Sequence, residues 1–212
     1  MTKQEVLAEL QEFTEDFPTA AFKAVQADRA TYTPDLLQAV QHVIQNMEEL
    51  YENDDACFLF TYAIFLLAEF REKKAFPYLV TALRQPRAHV EFFFGDTLTE
   101  DCDRLLFSTY DSENLQLLID LIEDQAADEW ARNAAVSAYS LLCKEGMIAK
   151  ETAVAQLRAW IYEKLPPDDS EIVFTAISEC VIDNALTQML RDVRYLYDED
   201  RIGPMMYGEY DA

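Results

Sequence analysis

Asp96, Glu100, Asp101 and Asp103 form the densest acidic cluster of the chain, directly after Gly95, and carboxylates at such density are the ligand type of a hard cation. Their order lacks the ligand spacing and central turn glycine of a calcium loop. Thr97 followed by Glu100 has the spacing of a helix capping box, and acids in a first turn complement the exposed amides and the positive helix end. Capping is therefore the expected role, with no metal. A second set of charges pairs at helical spacing: Asp101 with Arg104, Glu129 with Arg132, and Asp128 with Arg132. Exposed pairs of this kind contribute only ~0.2–0.5 kcal/mol each, but an Arg fork bridging carboxylates can fix how neighbouring helices stack. Asp96, Glu100, Asp101, Arg104, Asp128, Glu129 and Arg132 are thus expected to form a polar network between repeated units or a stripe that meets a partner.

His42 and His89 are the only histidines, and neither stands in an HExxH or comparable spacing, so a site needing several imidazoles is excluded. Cys57, Cys102, Cys143 and Cys180 are far apart and never form a CxxC pair, as buried reduced thiols would be. Glycine-rich phosphate loops and a GxSxG elbow are absent. No catalytic residue, cofactor site or metal site is assigned. Phe92, Phe93 and Phe94 cannot all face one buried side, and they are expected to plug a junction between helix pairs or to form a hydrophobic contact patch. Met205, Met206, Tyr207 and Tyr210 lie in a glycine- and proline-broken tail, expected to be a flexible or docked terminus.

The elements that position these residues read as helices throughout. With 212 residues, 50% of them hydrophobic, the chain can bury a sizeable core, and only 4 glycines leave little room for sheets joined by tight turns. Val6, Leu7, Leu10 and Phe13 give a short N-terminal helix, and Pro18 opens a second one to about Ala27. After a break at ATYTP, the apolar residues from Leu36 to Tyr51 follow the i, i+3, i+4, i+7 pattern, whereas those from Ala56 to Arg71 surround their helix and mark it as central. A helix with Pro77 in its first turn stops near Pro86. The segment HVEFFFGDTLTED is irregular, and helices follow from Thr97 to Tyr110 and from Glu113 through Ile122. A well-formed pair at 128–165, a Pro166-Pro167 break, and helices near 169–183 and 185–198 complete the chain.

These hairpins recur at intervals of about 30 to 42 residues, the range of helix-pair repeats. None could cover its own apolar face, so neighbours must stack. The expected fold is an all-α superhelix, a solenoid of about five irregular helix pairs forming one domain over residues 1–200, with 201–212 as the tail.

WARNAAVSAYSLL resembles the first helix of a HEAT-type repeat, in which an acidic residue, an Arg and small alanines recur. AEFREKKAFPYLVTAL, FGDTLTEDCDRLLFSTYD and DEWARNAAVSAYSLL together resemble a bacterial family of HEAT-like proteins known only as a domain of unknown function, over most of residues 55–165. The resemblance implies a fold more firmly than an activity. Longer relatives in that family often have a C-terminal cysteine-rich zinc motif. Here no cysteine follows Cys180, so a function tied to that motif is not transferred.

Charge narrows the function further. Against 17 Lys+Arg stand 40 Asp+Glu, a formal net charge of -23, which repels a phosphate backbone and disfavours direct nucleic-acid binding. The longest apolar run, Ala56 to Ala68, falls short of the ~20 residues of a membrane helix. MTKQEVLAEL lacks the apolar centre of a secretory signal, so a cytoplasmic protein is expected. The expected function is a non-enzymatic module that binds a protein or peptide, biased by its acids toward basic ligands. The alternatives are an acidic mimic of nucleic acid and, more remotely, an enzyme such as the HEAT-like chromophore lyases.

Overall fold

The computed structural model describes residues 1–12 and 16–202; Phe13 and the tail residues Met205, Met206, Tyr207 and Tyr210 lie outside them. The described residues are helical throughout and include no strand. The helices are Lys3–Gln11 (α1), Thr19–Ala27 (α2), Arg29–Glu52 (α3), Phe58–Glu69 (α4), Ala75–Leu83 (α5), Arg87–Phe94 (α6) and Thr97–Glu100 (α7). Cys102–Thr109 (α8), Leu115–Glu123 (α9), Glu129–Lys144 (α10), Lys150–Ala159 (α11), Glu171–Asp183 (α12) and Leu190–Asp198 (α13) follow. A π-turn over Trp160–Lys164 extends α11.

Packing sorts most helices into two rows. In one, α1 meets α4, α4 meets α8, α8 meets α10 and α10 meets α12. The second row places α3 beside α5 and α5 beside α9. It continues through side chains: Gln156 and Trp160 of the α11 arm both donate to Glu123 of α9, and Arg158 and Tyr162 donate to Asp192 of α13. Between the rows lies the apolar core, in which α4, α10 and α12 bury residues on several sides. Trp160 is fully buried there with its ring centroid 5.1 Å from that of Tyr139, and its indole N–H is satisfied by Glu123 at 3.0 Å.

Three sequence expectations change. No break occurs at ATYTP: α3 begins at Arg29, capped by Asp28, and continues through Pro34. Five residues of helix precede Pro34, which leaves the Ala30 carbonyl without its usual donor, and Thr33 Oγ1 donates to the Arg29 carbonyl one residue earlier at 2.8 Å. The helix instead deviates at Asn46, whose side chain donates to the His42 carbonyl at 2.7 Å. The segment from His89, expected to be irregular, belongs to α6. Gly95 ends it at φ 50, ψ -135, a conformation that only glycine adopts cheaply. Beyond it, Asp101 at φ -133 divides the expected single helix into α7 and α8.

A glycine-poor chain must end its helices by other means. At five helix ends the two residues beyond the last helical turn donate back in the paired pattern of a Schellman cap, which puts one residue in the left-handed region. Gly146 takes that place after α10, but Asp54, Arg71, Ala185 and Asp200 take it after α3, α4, α12 and α13. An L-residue pays about 1–2 kcal/mol for this conformation, more than the ~0.5–1 kcal/mol that glycine loses in unfolded-chain freedom. Ala185→Gly is therefore expected to raise stability by about 0.5–1 kcal/mol in urea unfolding.

Candidate functional site

Asp128, Glu129 and Arg132, three of the seven charged residues singled out by spacing, gather at one edge, where α10 and α12 both begin and α6 begins beside them. Asp128 caps α10, its Oδ1 accepting from the Trp130 and Ala131 amides at 2.9 and 3.2 Å, while Oδ2 faces Arg87 Nε at 3.4 Å. Arg87 also donates to Glu91 at 2.7 Å and lies 3.7 Å from Glu129. Ser170, the cap of α12, donates from its hydroxyl to Glu129 at 2.6 Å and accepts from the Ile172 amide at 3.2 Å. Acids and a hydroxyl at helix starts complement the unpaired amides there.

Arg132 does not pair with Glu129 or Asp128 as the i, i+3 and i, i+4 spacing suggested. Its guanidinium is buried and turns toward the next helix, with both terminal nitrogens 2.7 Å from the two oxygens of Asp169 and Nε 2.8 Å from the Ile122 carbonyl. A planar fork that engages all three nitrogens, two on a matched carboxylate and one on a carbonyl, is why the buried charge is tolerated. Burial raises the Asp169 carboxyl, but the Arg132 hydrogen bonds, the Ser170 amide and the Arg132 charge together outweigh it and hold the group below its ordinary value. A carboxyl depressed in the folded state stabilises the protein above its unfolded pKa of about 3.9, and that stabilisation is lost as pH falls through the folded value. Urea midpoints measured from neutral pH downward should accordingly fall less steeply below about pH 4 in Asp169→Asn than in the unaltered chain.

Sequence spacing singled out neither Asp169 nor Ser170. The available signal was the Asp-Ser-Glu run opening α12, which repeats the Asp-Glu opening of α10 at the helix-pair interval. Asp96, Glu100, Asp101 and Arg104 stand apart from this network. Asp101 and Arg104 form a surface pair at 3.5 Å, with Arg104 72% exposed. Nor is the Thr97–Glu100 capping box present, because Asp96 already has helical angles at the start of α7 and no side chain caps it. Of the aromatic run, Phe93 and Phe94 are buried against Phe60 of α4, with centroids at 6.1 and 5.4 Å, and Phe92 is half-buried between Phe93 and Tyr51 of α3. The triplet fills the junction of α6 with α3 and α4.

A groove of about 560 Å³ opens between α1, α3 and the start of α4. Leu7, Ala39, Phe58 and Leu59 give it apolar walls over the buried Val43 and Phe60, and Asp35, His42, Asp55 and Cys57 bring polar atoms to it. Cys57 stands in the left-handed region at φ 47 with its amide donating to Asp55 Oδ1 at 3.0 Å. Burial, with the Asp55 charge beside it, pushes the Cys57 thiol up to about 11, so it is no ready nucleophile at neutral pH despite sharing the groove with His42. Elsewhere, Cys143 is raised by its hydrogen bond to Cys180 and by burial. The four cysteines are free, and among the described residues no group of three or more His, Cys, Asp or Glu is placed to hold a metal ion.

The model of the family described as protein of unknown function DUF1186 matches residues 1–211. The chain belongs to the DUF1186 family. It is similar to an uncharacterized protein of Chlamydia trachomatis serovar D, 30% identical over 153 residues that make up 70% of this chain and 59% of the relative. An uncharacterized protein of Chlamydia muridarum is 29% identical over 153 residues, 70% of this chain and 60% of the relative. The chain thus covers less than two thirds of the length of these relatives. No solved structure matches. No helix among the described residues is long and apolar enough to cross a membrane.

Proposed function

We propose that this DUF1186 chain is a short α-solenoid of the HEAT-like kind that works by binding a protein or peptide partner rich in Lys and Arg. Stacking is supported by the seam at the α10–α12 edge, where Arg132 reaches the next helix pair through Asp169 and Ser170 reaches back to Glu129. The observation that favours binding is how charge is distributed. In that seam Arg132 pairs with Asp169 and Ser170 with Glu129, whereas the end of α3 and its following turn expose Glu48, Glu49, Glu52, Asp54 and Asp55. No basic residue stands in the last turn of α3, and carboxylates at a negative helix end cost about 0.3–1 kcal/mol each. A cationic partner would offset that cost. A cytoplasmic setting fits the free thiols.

The test is capture of proteins by the immobilised chain at low and raised salt. Retention of a defined set of Lys/Arg-rich proteins at low salt, released as salt screens the contact, is the expected outcome. Recovery of no specific protein at low salt would contradict the reading.

A further inference from the structure

The groove between α1, α3 and α4 combines apolar walls with carboxylates and has no Lys or Arg in its lining. Asp35 enters from α3, and Asp55 from the turn between α3 and α4, where its hydrogen bond to the Cys57 amide fixes the carboxylate. An ammonium already sits against one of them, since Lys3 of α1 pairs with Asp35 at the groove's side. Asp55 continues the exposed acids of the α3 end, so the field at the groove mouth is negative beyond the two lining groups.

Resting on the interaction reading above, we infer that this groove is the docking site for a segment of a partner protein in which apolar side chains alternate with Lys or Arg. The apolar side chains enter between Ala39 and Leu59, and the cations meet Asp55, the carboxylate that Lys3 does not already hold. The volume lies within the range of ligand pockets, about 300–1,000 Å³, and suits the insertion of side chains rather than of a whole folded element. Charge complementarity selects a basic segment, because a neutral one leaves Asp55 without a cation and an acidic one is repelled.

Fluorescence anisotropy with a labelled synthetic Leu/Lys peptide, beside its Leu/Glu counterpart, tests this. The unaltered protein should bind the Leu/Lys peptide saturably, and Asp35→Asn combined with Asp55→Asn should weaken it at least about tenfold. Ala39→Trp, which fills the groove without touching charge, should weaken it comparably. Glu151→Gln with Glu171→Gln, on α11 and α12, should leave the affinity within about twofold. Thermal melts of each variant confirm that it is folded, and the isosteric Asn pair keeps the test alive if the Trp variant is not. Undiminished binding by both groove variants would overturn this site while leaving the basic-partner reading standing. Equal binding of the Leu/Glu peptide would overturn the charge argument, and no saturable binding of the Leu/Lys peptide by the unaltered protein would overturn site and reading together.

Discussion

Arg132→Ala is expected to lower stability by about 3–5 kcal/mol, the cost of breaking a buried ion pair from one side. Arg132 and Asp169 side chains are 3% and 5% exposed, so water does not replace the lost guanidinium. Two other acceptors depend on it: the Ile122 carbonyl loses its donor, and Asp169 keeps the Ser170 amide alone. Removing both charges with apolar residues of similar size, as in Arg132→Leu with Asp169→Leu, should recover part of the loss, because neither charge then needs burial. The surface pair gives the contrast. Arg104→Ala removes a 3.5 Å contact in solvent and should change stability by less than about 0.5 kcal/mol. Urea unfolding of the variants measures all of these on one scale.

Phe60→Ala should cost about 3–5 kcal/mol as well, by a different mechanism. Phe60 is fully buried and is the ring against which Phe93 and Phe94 set their edges. Truncating it opens a cavity where α6 meets α4, which the close-packed surroundings can fill only in part. Phe92→Ala, at a half-buried position against Tyr51, should cost less than half as much. Similar losses at both positions would show that the triplet is not graded from buried to exposed. Thermal or urea melts suffice to decide.

Apolar periodicity made most helices legible, since burying one face is what both creates the pattern and holds the helix in place. It located α10, α11 and α12 within a few residues. It failed where local rules met tertiary context. Pro34 reads as a breaker, and an interior proline costs about 3 kcal/mol, yet the packing of this long helix against α4 and α5 outweighs it. In α6 the three consecutive phenylalanines hide a helical stripe because they fill positions on several sides of the helix, each with a different neighbour. Gly95 ends that helix, and its place inside a run of mixed polar and aromatic residues makes the whole stretch look irregular.

The polar network was half legible for a related reason. Spacing on one helix reveals only partners on that helix, so Arg132 was matched to Asp128 and Glu129, the carboxylates within a turn. Its actual partner lies 37 residues away on the next helix pair, and burial favours a bidentate fork over a surface contact. The groove was not legible at all. Leu7, Asp35, Asp55 and Phe60 belong to three helices and a turn, and only packing of α1 against α4 brings them around one space.

Hydrogen–deuterium exchange of the protein with and without the Leu/Lys peptide separates fastening from recognition most directly. Slowed exchange confined to residues 35–43 and 55–60, with 128–132 and 169–171 unchanged, is the expected result. Slowing at the α10–α12 edge with the groove unchanged would contradict it, because the Arg132–Asp169 seam would then be the surface that meets the partner.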